Sequence, residues 1–578
     1  MKREILSGNE AIARGAWEAG ATFASGYPGT PSTEILENAV KYPELYCEWA
    51  PNEKVAFEAA AGASLGGSRS FATMKHVGLN VAADPLMTFS YIGAVGGFVA
   101  VVADDPGMHS SQNEQDTRQY ARFAKIPILE PSDAQEAKDF MKFAFMISEK
   151  YNTPVILRST TRVSHARSLV TLAEREEHPR AGFHKDPPRY VPIPAWGRKM
   201  RVKIEERLHS MRSRSEATDL NRIEEGTDEL GIVTCGIAYQ YVKEVFPTAS
   251  ILKLGWTYPF PDSLIHRFAG KVKRLLVVEE LDDFVEEHIR SLGIPCDGRN
   301  LIPGIGEISP ERLRQVRARL EGGEFDLATP VQESIDLPAR PPVLCPGCPH
   351  RGVFTALHHF DVVVTGDIGC YSLGVLPPLD RLDTIICMGG GISMAHGLAK
   401  SGEKKNVVGM VGDSTFFHSG ITGLLNVAVN QSKVVILVLD NRTTAMTGHQ
   451  DHPGTGRTLK GENTVAVSIE AMSKSAGIDQ VFTVNPYNLE ELAKTFTAAF
   501  AASGPSVIVT RAPCPLAQKK TLGPVNVINQ EKCVKCLACL RVGCPAVEAT
   551  GGKPHINPTL CAGCGICRQT CRVGAISG

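Results

Sequence analysis

Residues 407–441 read VVGMVGDSTFFHSGITGLLNVAVNQSKVVILVLDN. Two apolar runs, Asn406 to Val411 and Lys433 to Leu439, have the length and β-branched content of buried strands. Each ends in a polar pair, Gly412-Asp413 and Asp440-Asn441. Asp413 and Asn441 lie 28 residues apart, the span of one strand–helix–strand unit. The two strands of such a unit are neighbouring and parallel, so both side chains stand at carboxyl ends, where open α/β sheets bind ligands. A carboxylate and an amide oxygen in that place suit Mg²⁺ shared with a diphosphate. Gly412 lets the backbone approach phosphate closely. The rival reading is an ordinary crossover with polar strand ends.

A second pattern lies at the other end of the chain. Eight of the sixteen cysteines fall within residues 533–578. Cys533, Cys536 and Cys539 are spaced C-x2-C-x2-C and followed by Cys544-Pro545; Cys561, Cys564 and Cys567 repeat the spacing and are followed by Cys571. Thiolates in this run hold a four-iron cluster, the last cysteine of each run ligating the other cluster. That predicts two [4Fe–4S] clusters, ligated by Cys533, Cys536, Cys539 and Cys571 and by Cys561, Cys564, Cys567 and Cys544. Disulfides need an oxidising compartment, and a zinc ribbon would use two C-x2-C pairs and leave thiols over. Two departures stand out. Four residues rather than three precede Cys544, and Arg572 follows Cys571 where proline is usual.

The chain has 578 residues, too many for one core. Its content is 43% apolar and 21% charged, ordinary for a soluble globular protein, and its formal net charge is −1. Without a basic excess, nucleic acid and anionic membranes are not the expected partners. The amino terminus carries no apolar signal core, and a cytoplasmic protein is expected. Residues 85–103 are free of charge, but their glycines, proline and polar residues favour a buried strand-and-turn over a membrane span.

Strand and helix patterns alternate over residues 1–165, predicting an α/β domain. Residues 166–227 are dense in charge and proline and read as a linker with one amphipathic helix near Val202 to Met211. A smaller α/β domain is expected over 228–323, a proline-punctuated linker over 324–343, a third α/β domain over 344–515 and a ferredoxin-like α+β domain over 524–578.

At Gly412-Asp413-Ser414 and Asp440-Asn441 the chain resembles thiamine diphosphate enzymes, whose motif is GDG, some 25 to 30 residues, then NN; Ser414 and Asp440 depart from it. Thr443 to Gly448 resembles the loop that, in 2-oxoacid:ferredoxin oxidoreductases, completes the metal site and covers the cofactor. Thr443 would give its carbonyl there, and Met446 would lie on the cofactor. GYPGTPSTE (residues 26–34) resembles those enzymes' YPITPSS turn, which puts Thr30 beside the substrate. Asn52-Glu53-Lys54 resembles the segment with their cofactor-activating glutamate. Glu53 would then hydrogen-bond the aminopyrimidine and favour its imino form; otherwise it is a solvated first-turn acid. The phrases SGYPGTPSTEI, EWAPNEKVAFEAAAGAS, TMKHVGLNVAADP, MHSSQNEQDTRQYARFAKIP and CPGCPHRG extend the likeness over nearly the whole chain. The family they resemble is the alpha subunits of indolepyruvate ferredoxin oxidoreductases.

That resemblance implies two thiamine-diphosphate-binding folds, a transketolase-C-terminal-like domain and the two-cluster tail. It further implies decarboxylation of an aromatic 2-oxoacid with coenzyme A as acyl acceptor and ferredoxin as electron acceptor. A smaller beta subunit, in an α2β2 assembly, goes with it. Cys345, Cys348, Cys370 and Cys514 occupy places comparable to a third, proximal cluster; reduced thiols are the alternative. Related pyruvate enzymes hold the substrate carboxylate with an arginine, yet none stands between Ala103 and Arg118. Lys75, His76 and His109 are the candidates left, against ordinary structural histidines. Three rivals stay open, one of them a 2-oxoacid:ferredoxin oxidoreductase for a non-aromatic substrate. A non-catalytic electron-transfer subunit would bind no thiamine, and a non-oxidative thiamine decarboxylase would have no use for eight tail cysteines.

Overall fold

In the computed structural model, which describes residues 2–179, 182–323, 341–519 and 521–578, the chain divides into two units, Met1–Asp336 and Leu337–Gly578. The first unit is built on a seven-stranded sheet. Its strand order is Trp256–Tyr258, Ile128–Leu129, Val155–Thr160, Phe98–Asp104, Ser70–Lys75, Phe23–Gly26, Tyr46–Trp49. All are parallel except the first. Every residue of Ser70–Lys75, Phe98–Asp104 and Val155–Thr160 is buried, as central parallel strands covered on both faces should be. The helix Ala134–Tyr151 starts where the Asp133 carboxylate accepts the Glu136 N–H at 2.9 Å.

Two expectations change. The uncharged stretch 85–103 is not strand and turn throughout: a helix, Ala83–Ile92, fills its first half, and only Phe98–Asp104 is strand. Leu86, Phe89 and Ser90 are its buried helical face, a spacing that a wholly uncharged run hides. The charged stretch 166–227 holds the strand Arg167–Thr171, paired with Arg3–Ser7, and a 22-residue helix, Pro194–Ser215. That helix buries only Met200, Ile204, Leu208, Met211 and Ser215, one narrow stripe in a strongly basic surface. It packs on Ala83–Ile92, with Arg207 donating to the Ser90 carbonyl at 2.9 Å. The linker expected over 324–343 lies, through residue 340, outside the described residues.

The second sheet of this unit runs Leu275–Val278, Thr227–Cys235, Ala249–Leu254, Asn221–Glu224, the last antiparallel. It is not self-contained. After Leu254 the chain turns where Asn221 Oδ1 accepts the N–H groups of Gly255 and Trp256 at 2.9 Å each, and Trp256–Tyr258 closes the edge of the larger sheet. Buried ion pairs tie neighbouring strands of the larger sheet and, through Glu279, reach the smaller one. Arg118, fully buried, reaches Asp116 at 2.5 Å and Glu279 at 2.6 Å. Arg158 reaches Asp104 at 2.6 Å and Glu130 at 2.5 Å.

The second unit carries a six-stranded, wholly parallel sheet ordered Thr384–Ile385, Val362–Gly366, Asn406–Gly412, Val435–Asp440, Ser506–Arg511, Gln480–Val484. Strand order reverses between Val362–Gly366 and Asn406–Gly412, a topological switch point. The tail adds two small antiparallel pairs, Val527–Ile528 with Ile576–Ser577 and Val547–Thr550 with Lys553–Ile556. Its core gathers Ile528, Val547, Ile576 and cysteines, with Val542, Ala546, Ile566 and Ala575 also buried, a small apolar core for a segment expected to be organised by a bound group. No helix among the described residues is long and apolar enough to cross a membrane.

Candidate active site

Asp413 follows directly on the strand Asn406–Gly412, beside the end of Val435–Asp440. Its Oδ1 accepts the Ser414 N–H at 2.9 Å; its Oδ2 accepts the Arg442 N–H at 2.7 Å and meets His452 Nε2 at 3.0 Å. Burial opposes ionisation, but His452 and these donors hold the carboxyl below its ordinary value. Asp440 is driven the other way by burial and by Asp413's charge, while Arg511 donates to it at 2.6 Å. The Asn441 side-chain oxygen accepts the Thr443 N–H at 3.2 Å.

The loop beyond folds back on itself. Thr443 Oγ1 and the Thr444 N–H both donate to the Gln450 carbonyl, and Thr444 Oγ1 donates to Ser414 at 3.0 Å. Met446 lies half exposed in the short turn Ala445–Thr447 between them. An ionised carboxylate, an amide oxygen and a carbonyl-rich loop at parallel strand ends form a hard-oxygen donor set, which fits a diphosphate-bound Mg²⁺.

At the switch point itself stands a residue the sequence reading missed. Asp367 closes the strand Val362–Gly366 and is fully buried. It accepts the Tyr371 hydroxyl and the Gly389 N–H at 2.7 Å, and the same hydroxyl accepts the Gly412 N–H at 2.8 Å. Burial pushes its acid up to about 8. Gly366-Asp367 repeats the strand-end pair of Gly412-Asp413, a signal that was there to be read. His452 had no such signal, since 39 residues separate it from Asp413.

The thiols fall into three sets. Cys567 is pushed up to about 12 by burial and then by Cys564, Cys544, Cys561 and Cys539. Cys539 is raised by burial and by Cys533, Cys536 and Cys571. Cys348 is raised to about 12 by burial, then by Cys370 and Cys345, and Cys370 to about 11 by burial, Cys345 and Cys514. Four thiols bear on Cys567, three on Cys539 and two each on Cys348 and Cys370, with Cys539 linking the first two sets; a four-iron cluster takes four. Among the described residues, no three His, Cys, Asp or Glu groups converge as a ligand set for a single metal ion.

In the first unit, Glu53 opens the helix Glu53–Leu65 and is buried, not the solvated acid of the rival reading. Its carboxylate lies against Gly78, where a Cβ would meet it at 2.5 Å. His76, two residues before that glycine, is buried with Nε2 3.2 Å from the Asn113 carbonyl; its Nδ1 has no hydrogen-bond partner among the described residues. Lys75 donates to the Ser110 carbonyl at 2.7 Å, and Ser110 Oγ donates to the Thr30 carbonyl at 3.3 Å. Burial lowers the Lys75 amine to about 8, Asp105 opposing the shift. His109 departs from expectation: it is 45% exposed, with Nε2 3.4 Å from Glu307. Met108 before it adopts a left-handed backbone (φ 52°).

Residues 14–225 match the family described as pyruvate flavodoxin/ferredoxin oxidoreductase, thiamine diphosphate binding. Residues 367–510 match the C-terminal binding domain of thiamine pyrophosphate enzymes, and residues 554–577 a 4Fe–4S binding domain. The indolepyruvate oxidoreductase subunit IorA of Archaeoglobus fulgidus is 42% identical over 100% of this chain and 97% of its own length. That of Pyrococcus horikoshii is 43% identical over 99% and 96%. A solved 2-oxoglutarate:ferredoxin oxidoreductase from Magnetococcus marinus aligns with 55% of this chain and 65% of its own, at 18% identity and a TM-score of 0.47. With full-length identity at that level, the chain belongs to the IorA family of indolepyruvate oxidoreductase subunits, thiamine-diphosphate-dependent, iron–sulfur 2-oxoacid:ferredoxin oxidoreductases.

Proposed function

We propose that this chain is the alpha subunit of an enzyme that oxidatively decarboxylates arylpyruvates with coenzyme A, giving aryl-acetyl-CoA, CO2 and reduced ferredoxin. The observation that carries the aromatic substrate is identity of about 42% over the full length to subunits named for indolepyruvate. A smaller beta subunit, in an α2β2 assembly, completes the enzyme.

In this reading Asp413, Asn441 and the Thr443 carbonyl hold Mg²⁺, while Gly412, Ser414 and Met446 line the cofactor. Bound thiamine diphosphate supplies the carbanion chemistry. Glu53, desolvated against Gly78, holds and returns a proton at the cofactor's ring nitrogen. Thr30 and Lys75 orient the 2-oxoacid, Lys75 as a cation against its carboxylate. His76 offers its bare Nδ1 as a hydrogen-bonding group to the substrate. Cys533, Cys536, Cys539 and Cys571 hold one cluster, Cys544, Cys561, Cys564 and Cys567 a second, and Cys345, Cys348, Cys370 and Cys514 a third; each passes single electrons toward ferredoxin.

The test is an anaerobic assay of the co-expressed subunit pair with indolepyruvate, phenylpyruvate, hydroxyphenylpyruvate, pyruvate and 2-oxoglutarate. Coenzyme A-dependent ferredoxin reduction highest with an aryl substrate is expected. Preference for pyruvate or 2-oxoglutarate, or turnover indifferent to coenzyme A, would overturn it.

A further inference from the structure

Arg351 has no part in the chemistry above, yet it is 1% exposed. It lies in the first turn of the helix His350–Leu357, just after the Cys345-Pro346-Gly347-Cys348 turn. On one side its guanidinium donates to the carbonyls of Leu344 and Cys345, the latter at 3.3 Å from Nε. On the other it donates to Val542, at 3.2 Å, and to Gly543, the two residues before Cys544. One side chain therefore spans two cysteine loops 191 residues apart in sequence.

The loops are packed as well as tied. Gly347, at φ +72°, has no room for a side chain: a Cβ there would stand 2.6 Å from that of Ala562, inside the Cys561–Cys564 turn. The Tyr487 hydroxyl donates to the Gly347 carbonyl at 2.7 Å, and the thiols that act on this phenol are Cys348, Cys564 and Cys514. Each described hydrogen bond of Arg351 ends on a backbone carbonyl.

A guanidinium stays protonated in a protein, and burying it without an opposite charge is costly. Four thiolates around a four-iron core supply that charge, and the core gains one more negative charge with each electron it accepts. Net charge and hydrogen bonding around the sulfurs set a cluster's potential.

We infer that Arg351 is a fixed cation shared by two iron–sulfur sites, the Cys345/Cys348/Cys370/Cys514 site and the Cys544/Cys561/Cys564/Cys567 site, holding their loops together and raising both reduction potentials. It is a positioning and tuning residue, and the inference rests on reading both thiol sets as four-iron sites. The third set, Cys533/Cys536/Cys539/Cys571, is its internal reference.

The experiment uses the full chain, purified anaerobically, with iron and sulfide analysis and an EPR-monitored redox titration of parent, Arg351→Gln and Arg351→Lys. Arg351→Gln should keep its iron and lower the midpoint potentials of two clusters while the third stays put. Arg351→Lys, which keeps the charge, should return them to parent values. Unmoved potentials, an equal shift of all three, or a lysine variant shifted as far as the glutamine variant would each overturn the inference. If the glutamine variant loses iron, the lysine variant decides alone: parent potentials support the shared charge, lowered ones refute it. Iron for only two clusters in the parent chain would instead overturn the underlying assignment, and is recognised before any variant is made.

Discussion

The two units bury carboxyl groups, most of them at the carboxyl ends of parallel strands and one, Asp116, at the cap of the helix Thr117–Ala124, and neutralise them by opposite means. In the first unit, Asp104 and Asp116 meet guanidinium groups: Arg158 lies 2.6 Å from Asp104 and Arg118 2.5 Å from Asp116. In the second, Asp367 meets a phenol and a backbone N–H and is pushed up to about 8, so at neutral pH it keeps its proton. Asp413, one strand over, is held ionised by His452. Counter-charge makes a rigid joint between two sheets. A proton makes a neutral wall, against which one ionised acid is left to meet a cation.

The strongest challenge to that division is Asp413→Ala. If Asp413 is the unit's working charge, the variant loses bound thiamine and all turnover while iron content is unchanged; full thiamine occupancy by fluorescence titration would break the comparison. Glu53→Gln should retain the cofactor and lose roughly 10²–10⁴-fold in kcat, the range for a proton-transfer group, as steady-state and single-turnover rates will show. Arg118→Met leaves Asp116 and Glu279 buried without their partner, and about 3–5 kcal/mol of the first unit's stability should go with it. Denaturant melts followed by tryptophan fluorescence measure this, and Trp256 reports on the joint itself.

Asp367→Asn tests the neutral wall. The folded acid titrates near 8 against an ordinary 3.8, so between those values the folded unit binds more protons than the unfolded chain. Parent stability is then greatest below about pH 4 and falls by up to ~1.4 kcal/mol per pH unit until about pH 8. The amide variant, which mimics the protonated acid, should show a flatter pH–stability profile over that window; an unchanged slope would mean Asp367 is ionised. The smallest effect concerns Lys75, lowered to about 8 by burial against Asp105. Its cation, and with it the grip on a substrate carboxylate, is lost as pH rises through that value. We expect kcat/KM to decline above about pH 8 in the parent, and Lys75→Met to abolish that limb.

Much of the second unit was legible in the sequence because its strands are buried on both faces and read as unbroken apolar runs. Their polar ends then announce themselves, as do thiols at fixed spacing. The first unit was less legible. Residues 85–103 hid a helix because no charge within them marks its outer face, where Thr88 and Tyr91 stand; the helix expected near Val202 to Met211 is there, but runs over Pro194–Ser215, its ends unmarked because its apolar stripe is one residue wide. Of the candidate site, Thr30 and Glu53 are proposed from resemblance rather than pattern, and Lys75 from the lack of an arginine between Ala103 and Arg118. Asp367 was overlooked although Gly366 precedes it as Gly412 precedes Asp413. The contact of His109 with Glu307, almost 200 residues on, had no sequence signal.

The three residues Trp256–Tyr258 also restrict how this chain can be altered. They cap the edge strand Ile128–Leu129, which would otherwise present unpaired amides and carbonyls to any passing strand. Excising the second α/β region near residue 228, or exchanging it for a relative's, would uncover that edge and invite aggregation. The modules of this polypeptide are therefore inherited as an interlocked pair, and any recombination between family members must carry the strand along with the sheet it seals.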